Sequence, residues 1–346
     1  MFDWIEQARN LLARGEAPVL VTVVKAEGST PREPGARMLV SALQQWQTIG
    51  GGHLEWRALA IARTMIQRKV RARHVERLSL GPSLGQCCGG VATLAFELLT
   101  PVDAGWLGTL EERLRRHLPS LRTVMFPAPS ATVALPDVTL GEPEPDPDAS
   151  AGPAHGVCTL WQAGGQRGLT EIIAPPTFHI VLFGAGHVGQ ALVNILGTLP
   201  CTVTWVDERD TQFPAAVPAN VTIEDTDTPE VVIRQAPPES YFVVMTHNHS
   251  LDQHLCQHIF LREDYAWFGL IGSRTKRRKF EHRLRDRGVP AQRFEQMVCP
   301  IGVPGVTGKQ PAVIAVAIAA QLLSVHEERE KTQRNTHTPA DAPAAR

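Results

Sequence analysis

The sequence has almost no net charge: 34 lysines and arginines stand against 35 aspartates and glutamates, a formal −1 over 346 residues. A duplex nucleic-acid binder normally carries a strong basic excess, so a small or locally charged ligand fits better and no nucleic acid is expected. Long hydrophobic runs are missing too. The longest, Ala312 to Leu323, falls short of the ~20 apolar residues that cross a bilayer. The opening MFDWIEQARN lacks the basic flank and apolar stretch of a signal peptide. Cysteine is sparse, six residues scattered except for the neighbours Cys87 and Cys88, which is poor material for a disulfide framework. No C-x-x-C pair or spaced Cys/His set supports a structural zinc site. These absences read as a cytoplasmic chain with reduced thiols and no membrane span.

What is present is an ordinary globular composition, 43% hydrophobic and 20% charged, long enough for two domains. DWIEQARNLLARG reads as a short amphipathic helix, capped by Asp3 and Glu6 and ended by Gly15. Strands are expected at Val19 to Val24, in GARMLV and in TIGGG, and a periodic helix over Leu54 to Val70. A strand over Val91 to Leu99 and a helix over Trp106 to Leu118 follow, then strands over Arg122 to Leu135 and Gly156 to Gln162. The acidic, proline-rich GEPEPDPDASAGPA cannot bury enough apolar surface to fold alone and reads as a linker or exposed loop.

From His179 strands and helices alternate regularly, which implies a parallel sheet with helices on both faces. The organisation expected is therefore an N-terminal α/β domain over 1–140 and a linker over 141–155. A C-terminal Rossmann-type doubly wound parallel sheet follows over 156–330, with its core from 179 and a final helix near Pro311 to Glu328. A disordered polar tail over 331–346 completes it.

In HIVLFGAGHVG the spacing G-x-G-x-x-G falls on Gly184, Gly186 and Gly189, between an apolar strand and a helix start. Gly184 permits the tight turn, Gly186 lets backbone approach a pyrophosphate, and Gly189 allows close helix-to-strand packing. Asp207 ends the next strand, where a ribose-binding carboxylate is expected, so a nucleotide such as NAD(P) is a candidate ligand. The plainer alternative, that the glycines serve packing and Asp207 caps a turn, stays open at this point. Binding alone does not establish hydride transfer.

Three glycine-bearing loops crowd the first hundred residues: EGSTPREPGAR, IGGGHLEWR and LGPSLGQCCGG. In the first, Ser29 and Thr30 offer hydroxyls and Arg32 and Arg37 offer charge, a mixture suited to an oxyanion. In the second, Gly50 to Gly52 lead into the Leu54 helix, whose free amides would face an anion near His53 and Glu55. In the third, Cys87 and Cys88 carry the soft-metal and sulfur chemistry, set against buried packing as the alternative. In THNHSLDQH, His247, His249 and Asp252 lie at a strand end, where a metal or proton-transfer site competes with a capping role. Lys276, Arg277, Arg278 and Lys279 make a basic first turn at the wrong end for their helix dipole, so an anionic compensator is expected unless the face is simply solvated. Lys309, in PIGVPGVTGK, stands at another helix entrance.

The blocks VTVVKAEGSTPREPGARMLV, TIGGGHLEWRALAIA, LGPSLGQCCGG, HIVLFGAGHVGQAL, VVMTHNHSLD, FGLIGSRTKR and PIGVPGVTGKQPAVIAVAIAAQLL run through both halves of the chain. Together they resemble the xanthine dehydrogenase accessory proteins of the XdhC/CoxI type. That resemblance implies a chaperone rather than an enzyme. It would bind molybdenum cofactor, protect it during exchange of an oxo for a sulfido ligand, and insert it into apo-xanthine dehydrogenase. It further implies contact with the molybdenum-binding subunit of that enzyme, a cysteine desulfurase as sulfur source, and a homodimer. Carried over by position, cofactor contact is expected at Gly51, Gly52, His53, Glu55 and Gln86, at Ser29, Thr30 and Arg32, and at Lys309. Cys87 and Cys88 would hold the metal end. The competing reading, an NAD(P)-dependent oxidoreductase, would leave the glycine- and cysteine-bearing first domain without a task and lacks a clear acid–base pair. A plain scaffold would need neither thiols nor amide cradles.

Overall fold

The computed structural model describes residues 3–68, 73–80, 89–116, 118–126, 138–143 and 158–336, which form two compact units, Phe2–Pro175 and Pro176–Arg346. The first unit is built from α1 (Asp3–Ala13), β1 (Val19–Glu27), β2 (Arg37–Val40), β3 (Gln45–Gln47), α2 (Gly52–Arg68), β4 (Arg73–Ser79), β5 (Val91–Leu98), α3 (Ala104–Arg115), β6 (Ser120–Phe126), β7 (Val138–Gly141), β8 (Cys158–Ala163) and β9 (Gln166–Ile173). Its strands pair antiparallel in two sheets, ordered β3-β2-β1-β5-β4 and β7-β6-β9-β8.

Alternation along β1 sorts its residues onto two faces. Val19, Val21 and Val23 meet Leu54, Ala58, Ala62 and Met65, the apolar stripe of α2. On the other face Leu20 packs with Trp4, Ile5 and Leu11 of α1 and Leu107 and Leu110 of α3. Val24 and Ala95 on that side meet Val124, Phe126 and Leu169 of the second sheet. Between the two sheets lies a buried charge network. Arg122 reaches Glu97 at 2.6 Å and Glu171 at 2.7 Å, Arg37 also pairs with Glu171, and Arg73 bridges Glu97 at 3.5 Å and Asp103 at 3.3 Å. The Arg122 guanidinium also lies 4.4 Å above the Trp106 ring.

Several boundaries differ from the sequence reading. The third strand is Gln45–Gln47, not TIGGG, because Gly50, Gly51 and Gly52 all take positive φ (120°, 72° and 62°) and turn the chain out of the sheet. The partners of β6 and β8 include β7 and β9, so residues 158–175 belong to the first unit and the division falls at Pro175 rather than at 156. The proline-rich stretch from 144 lies outside the described residues, though Gly141 itself ends β7.

The second unit contains β10 (His179–Phe183), α4 (His187–Leu196), β11 (Thr202–Asp207), β12 (Val221–Asp225), α5 (Pro229–Gln235), β13 (Tyr241–Val244), α6 (His249–Phe260), β14 (Trp267–Leu270), α7 (Arg274–Asp286), β15 (Met297–Val298) and α8 (Pro311–Thr336). All six strands are parallel, in the order β12-β11-β10-β13-β14-β15. Numbered along the chain this is 3-2-1-4-5-6, the Rossmann order, and the direction of winding reverses between β10 and β13. Ile180 and Leu182 face the core shared with α4 and α8, while Val181 and Phe183 face Leu255, Ile259 and Phe280 of α6 and α7.

α8 runs to Thr336, past the expected end near Glu328 and into the stretch read as tail; residues 337–346 lie outside the described set. By length and composition its Pro311–Thr332 portion is apolar enough to cross a membrane, contrary to the reading of Ala312 to Leu323. Its Ala315, Ile318, Ala319 and Leu322 are nevertheless buried in the Rossmann core, the place of a helix that closes a globular layer.

Candidate functional site

At one end of the five-stranded sheet segments 29–32 and 48–52 meet Gly90. A Cβ on Gly90 would lie 2.3 Å from the carbonyl oxygen of Ser29, and one on Gly50 would lie 2.5 Å from Pro31 Cβ. The Arg32 guanidinium donates to the Thr48 carbonyl at 3.3 Å, tying the first loop to the second. Contact this close leaves room for no other residue at Gly90 and Gly50, which is why glycine stands at both positions.

Glu55 organises the second loop from within α2. Its Oε2 accepts from Thr48 Oγ1 at 2.5 Å, Ile49 N at 3.1 Å and Gly51 N at 3.2 Å, and its Oε1 accepts from Gln45 Nε2 at 2.9 Å. Burial alone would raise its carboxyl, but the Thr48 hydroxyl, the Gly51 amide and the other donors outweigh it and hold the group below the usual carboxylate range. Glu55 therefore stands as the internal acceptor of the loop, with its oxygens turned to protein donors.

Around it, a Cβ on Gly51 would meet nothing within 4 Å, so its backbone borders open space. Ser29 and His53 are exposed, and Thr30 turns its hydroxyl to the Arg32 carbonyl at 3.2 Å. Arg32 itself pairs with Glu33 at 2.9 Å on a half-exposed surface. Arg37 is not part of this rim: it is buried and paired with Glu171 between the sheets, a correction to its reading as an oxyanion ligand. Gln86, Cys87 and Cys88 lie outside the described residues. One residue missed by the sequence reading is Trp56, 64% exposed, with its ring 5.1 Å from that of His53. The only sequence signal was a tryptophan on the polar face of an amphipathic helix.

In the second unit the glycine loop sits at the reversal point. Gly184 has φ +117° and a Cβ there would lie 2.4 Å from the Met245 carbonyl oxygen, while a Cβ on Gly189 would lie 2.1 Å from the Gly184 carbonyl oxygen. Gly186 opens α4 with nothing within 4 Å of its would-be Cβ and no side chain capping the helix. Beneath the loop, Trp205 Nε1 donates to the Gly184 carbonyl at 3.1 Å. Gln190 Nε2 spans the Ala185 carbonyl at 3.2 Å and the Gln212 carbonyl at 2.9 Å.

Asp207 faces the same loop. Its Oδ2 accepts from Ala185 N at 2.6 Å and Arg209 Nη2 at 2.9 Å, and its Oδ1 from Arg209 Nε at 2.8 Å and Arg209 N at 3.1 Å. Burial pushes its carboxyl up, yet the Arg209 and Ala185 hydrogen bonds prevail and hold it below the usual range. The cavity beside it, lined by Gly184, Asp207, Glu208, Thr246 and His247 among others, has about 10 Å³, the space of a single water. The glycine half of this site is open, while the carboxylate at its acid half accepts from Ala185 and Arg209.

The strand-end histidines are not brought together. His247 is exposed with Nε2 3.8 Å from Glu208 Oε1, and His249 is exposed at the start of α6, which Asn248 caps through Ser250 N at 2.8 Å. Asp252 is fully buried and bound by Lys276 Nζ at 2.6 Å, Thr246 N at 3.0 Å and Thr246 Oγ1 at 2.7 Å. It compensates Lys276 of the basic turn of α7, and Glu281 compensates Arg277 at 2.7 Å. Among the described residues no three His, Cys, Asp or Glu side chains are grouped to hold a metal. Lys309 is exposed in the segment before α8.

The chain is similar to known proteins in both units. Residues 180–322 match the family described as the XdhC Rossmann domain, and residues 11–78 match the XdhC and CoxI family. An uncharacterized Escherichia coli (strain K12) protein, YqeB, is 27% identical over 152 residues, 42% of this chain; the match spans about a quarter (27%) of YqeB's own length. A Bacillus subtilis (strain 168) protein described as a probable xanthine dehydrogenase subunit is 24% identical over 92% of this chain and 96% of its own. A solved structure described as a xanthine dehydrogenase from Bacillus halodurans superposes with a TM-score of 0.69 at 20% identity, covering 98% of each chain, and shares the fold. With the two family matches falling on the two units in turn, the chain belongs to the XdhC and CoxI family.

Proposed function

We propose that this chain is a maturation factor for xanthine dehydrogenase that carries molybdenum cofactor, shelters it during exchange of an oxo for a sulfido ligand, and inserts it into the apoenzyme. The observation that carries this reading is the meeting of the first two glycine loops with Gly90 at one end of the first unit's sheet. The cargo is a phosphorylated pterin dithiolene, anionic at one end and sulfur-rich at the metal. In this reading the exposed rim at Gly51 and Gly52, with Ser29, Thr30 and Arg32, takes the anionic portion through hydroxyl and guanidinium donors, while the Gly51 amide stays bonded to Glu55. His53 borders the same rim, Glu55 keeps the loop in shape, and Gln86, Cys87 and Cys88 supply the metal end. Partners of matching chemistry are the molybdenum-binding subunit of the apoenzyme, a cysteine desulfurase as sulfur source, and a second copy of the chain.

The oxidoreductase reading draws no support from the geometry of the second unit. His247, its best acid–base candidate, is exposed beside Glu208, and the acid of the glycine-loop crevice is already bonded to its own chain.

Anaerobic mixing with molybdenum cofactor, followed by gel filtration, tests the proposal. Pterin fluorescence and molybdenum are expected in the protein peak, and absence of both overturns it. Cys87→Ala and Cys88→Ala are expected to lower cofactor retention while the melting curve stays unchanged; full retention in both returns those cysteines to packing.

A further inference from the structure

We infer that Arg209 plugs the ribose end of the Rossmann crevice, so that the chain as folded does not take up NAD-class dinucleotides, and that removing this side chain uncovers a latent dinucleotide site. The inference concerns the second unit alone and stands whether or not the first unit carries molybdenum cofactor.

In a Rossmann unit the acid ending the second strand accepts ribose hydroxyls, or an arginine nearby accommodates a 2′-phosphate. This chain has both, Asp207 and Arg209, so spacing alone does not choose between NAD and NADP. The structure removes the choice by pairing them. A carboxylate offers about four lone-pair positions. Four N–H donors occupy them here: Ala185 N at 2.6 Å, Arg209 N at 3.1 Å, Arg209 Nε at 2.8 Å and Arg209 Nη2 at 2.9 Å. A ribose hydroxyl would find no acceptor, and a 2′-phosphate would meet a guanidinium whose Nε and Nη2 are already committed to Asp207.

The arginine is held there by more than its own ion pair. The segment that carries it is strapped to the glycine loop by Gln190, which donates to both Ala185 O and Gln212 O. The phosphate end is built differently. A side chain at Gly186 would meet nothing within 4 Å, and α4 begins without a side-chain cap. The blockage is therefore confined to one end, where one side chain supplies two of the four donors on Asp207 and the backbone supplies the other two.

The test uses the full chain. NADH and NADPH are titrated by their fluorescence and ADP-ribose by calorimetry, up to about 1 mM, the concentration matching a binding free energy near −4 kcal/mol. The wild type is expected to show no saturable binding of any of the three. Arg209→Ala and Arg209→Ser are expected to bind ADP-ribose and NADH at least about tenfold more tightly than that limit, with NADPH weaker because bare Asp207 repels a 2′-phosphate. Asp207→Ala in the Arg209→Ala background is expected to abolish the gain. Circular dichroism and melting identify the folded variants. Saturable binding by the wild type overturns the inference, and so does silence in a folded Arg209 variant.

Discussion

Arg122 and Glu97 meet across the interface of the two antiparallel sheets, Nη2 to Oε2 at 2.6 Å, with both side chains fully buried. Arg122 also holds Glu171, so one guanidinium ties an acid from each sheet. Replacing Arg122 by Ala leaves Glu97 with Arg73 and Glu171 with Arg37, each short of a buried partner, and we expect a loss of about 3–5 kcal/mol, the cost of breaking a buried pair from one side. Urea unfolding of the variant against wild type measures it; a loss under ~1 kcal/mol would mean that water reaches the network. Arg122→Met is expected to lose less than Arg122→Ala, because it refills the space above the Trp106 ring.

The same network makes the first unit acid-sensitive. Burial pushes the Glu171 carboxyl up, but Arg37 and Arg122 outweigh it and hold the group below its usual range. A depressed folded pKa contributes stability that is complete above the unfolded value and is lost as pH falls toward the folded one. Urea midpoints recorded from neutral pH downward should therefore drop below about pH 5. Glu171→Gln is expected to begin lower and fall less steeply over that window. Parallel curves would assign the acid loss to other carboxylates.

The glycine loop separates conformational need from open space within three residues. At Gly184 an alanine would be forced to φ +117° and into the Met245 carbonyl, so Gly184→Ala is expected to destabilise by at least about 2 kcal/mol. At Gly186 the backbone has φ −71° and nothing stands near the added carbon, so Gly186→Ala should change stability by about 1 kcal/mol or less. Thermal melts of the two variants decide it, and equal losses would show that the loop does not sit as described.

How far each feature was legible follows from how local its cause is. The strand–turn–helix of HIVLFGAGHVG is written in adjacent residues: β-branched and aromatic apolar positions, then glycines where backbone crosses backbone. β4 was hidden because RHVERLS is an edge strand whose charges mask any alternation. β9 was hidden because its first half, Gln166 to Gly168, carries no apolar side chain, and its assignment moved the unit boundary to Pro175. The candidate loops were recognisable from composition, yet their convergence depends on β1 and β5 pairing so that Glu27 lies opposite Val91, a non-local fact. Arg37 read as a free cation because its partner Glu171 is far along the chain. Asp252 likewise gave no sign of being the partner of Lys276, since helices α6 and α7 must fold before the two meet.

The close packing of the first two glycine loops and Gly90 bears on exchange between relatives. Because Gly90 rests on the Ser29 carbonyl, Gly50 on Pro31, and Arg32 on the Thr48 carbonyl, segments 29–32 and 48–52 are shaped against each other and against Gly90. A single loop transplanted from a relative would arrive without the neighbours that mould it. A graft at this rim must therefore move the contacting segments together, Gly90 included, if it is to keep their packing.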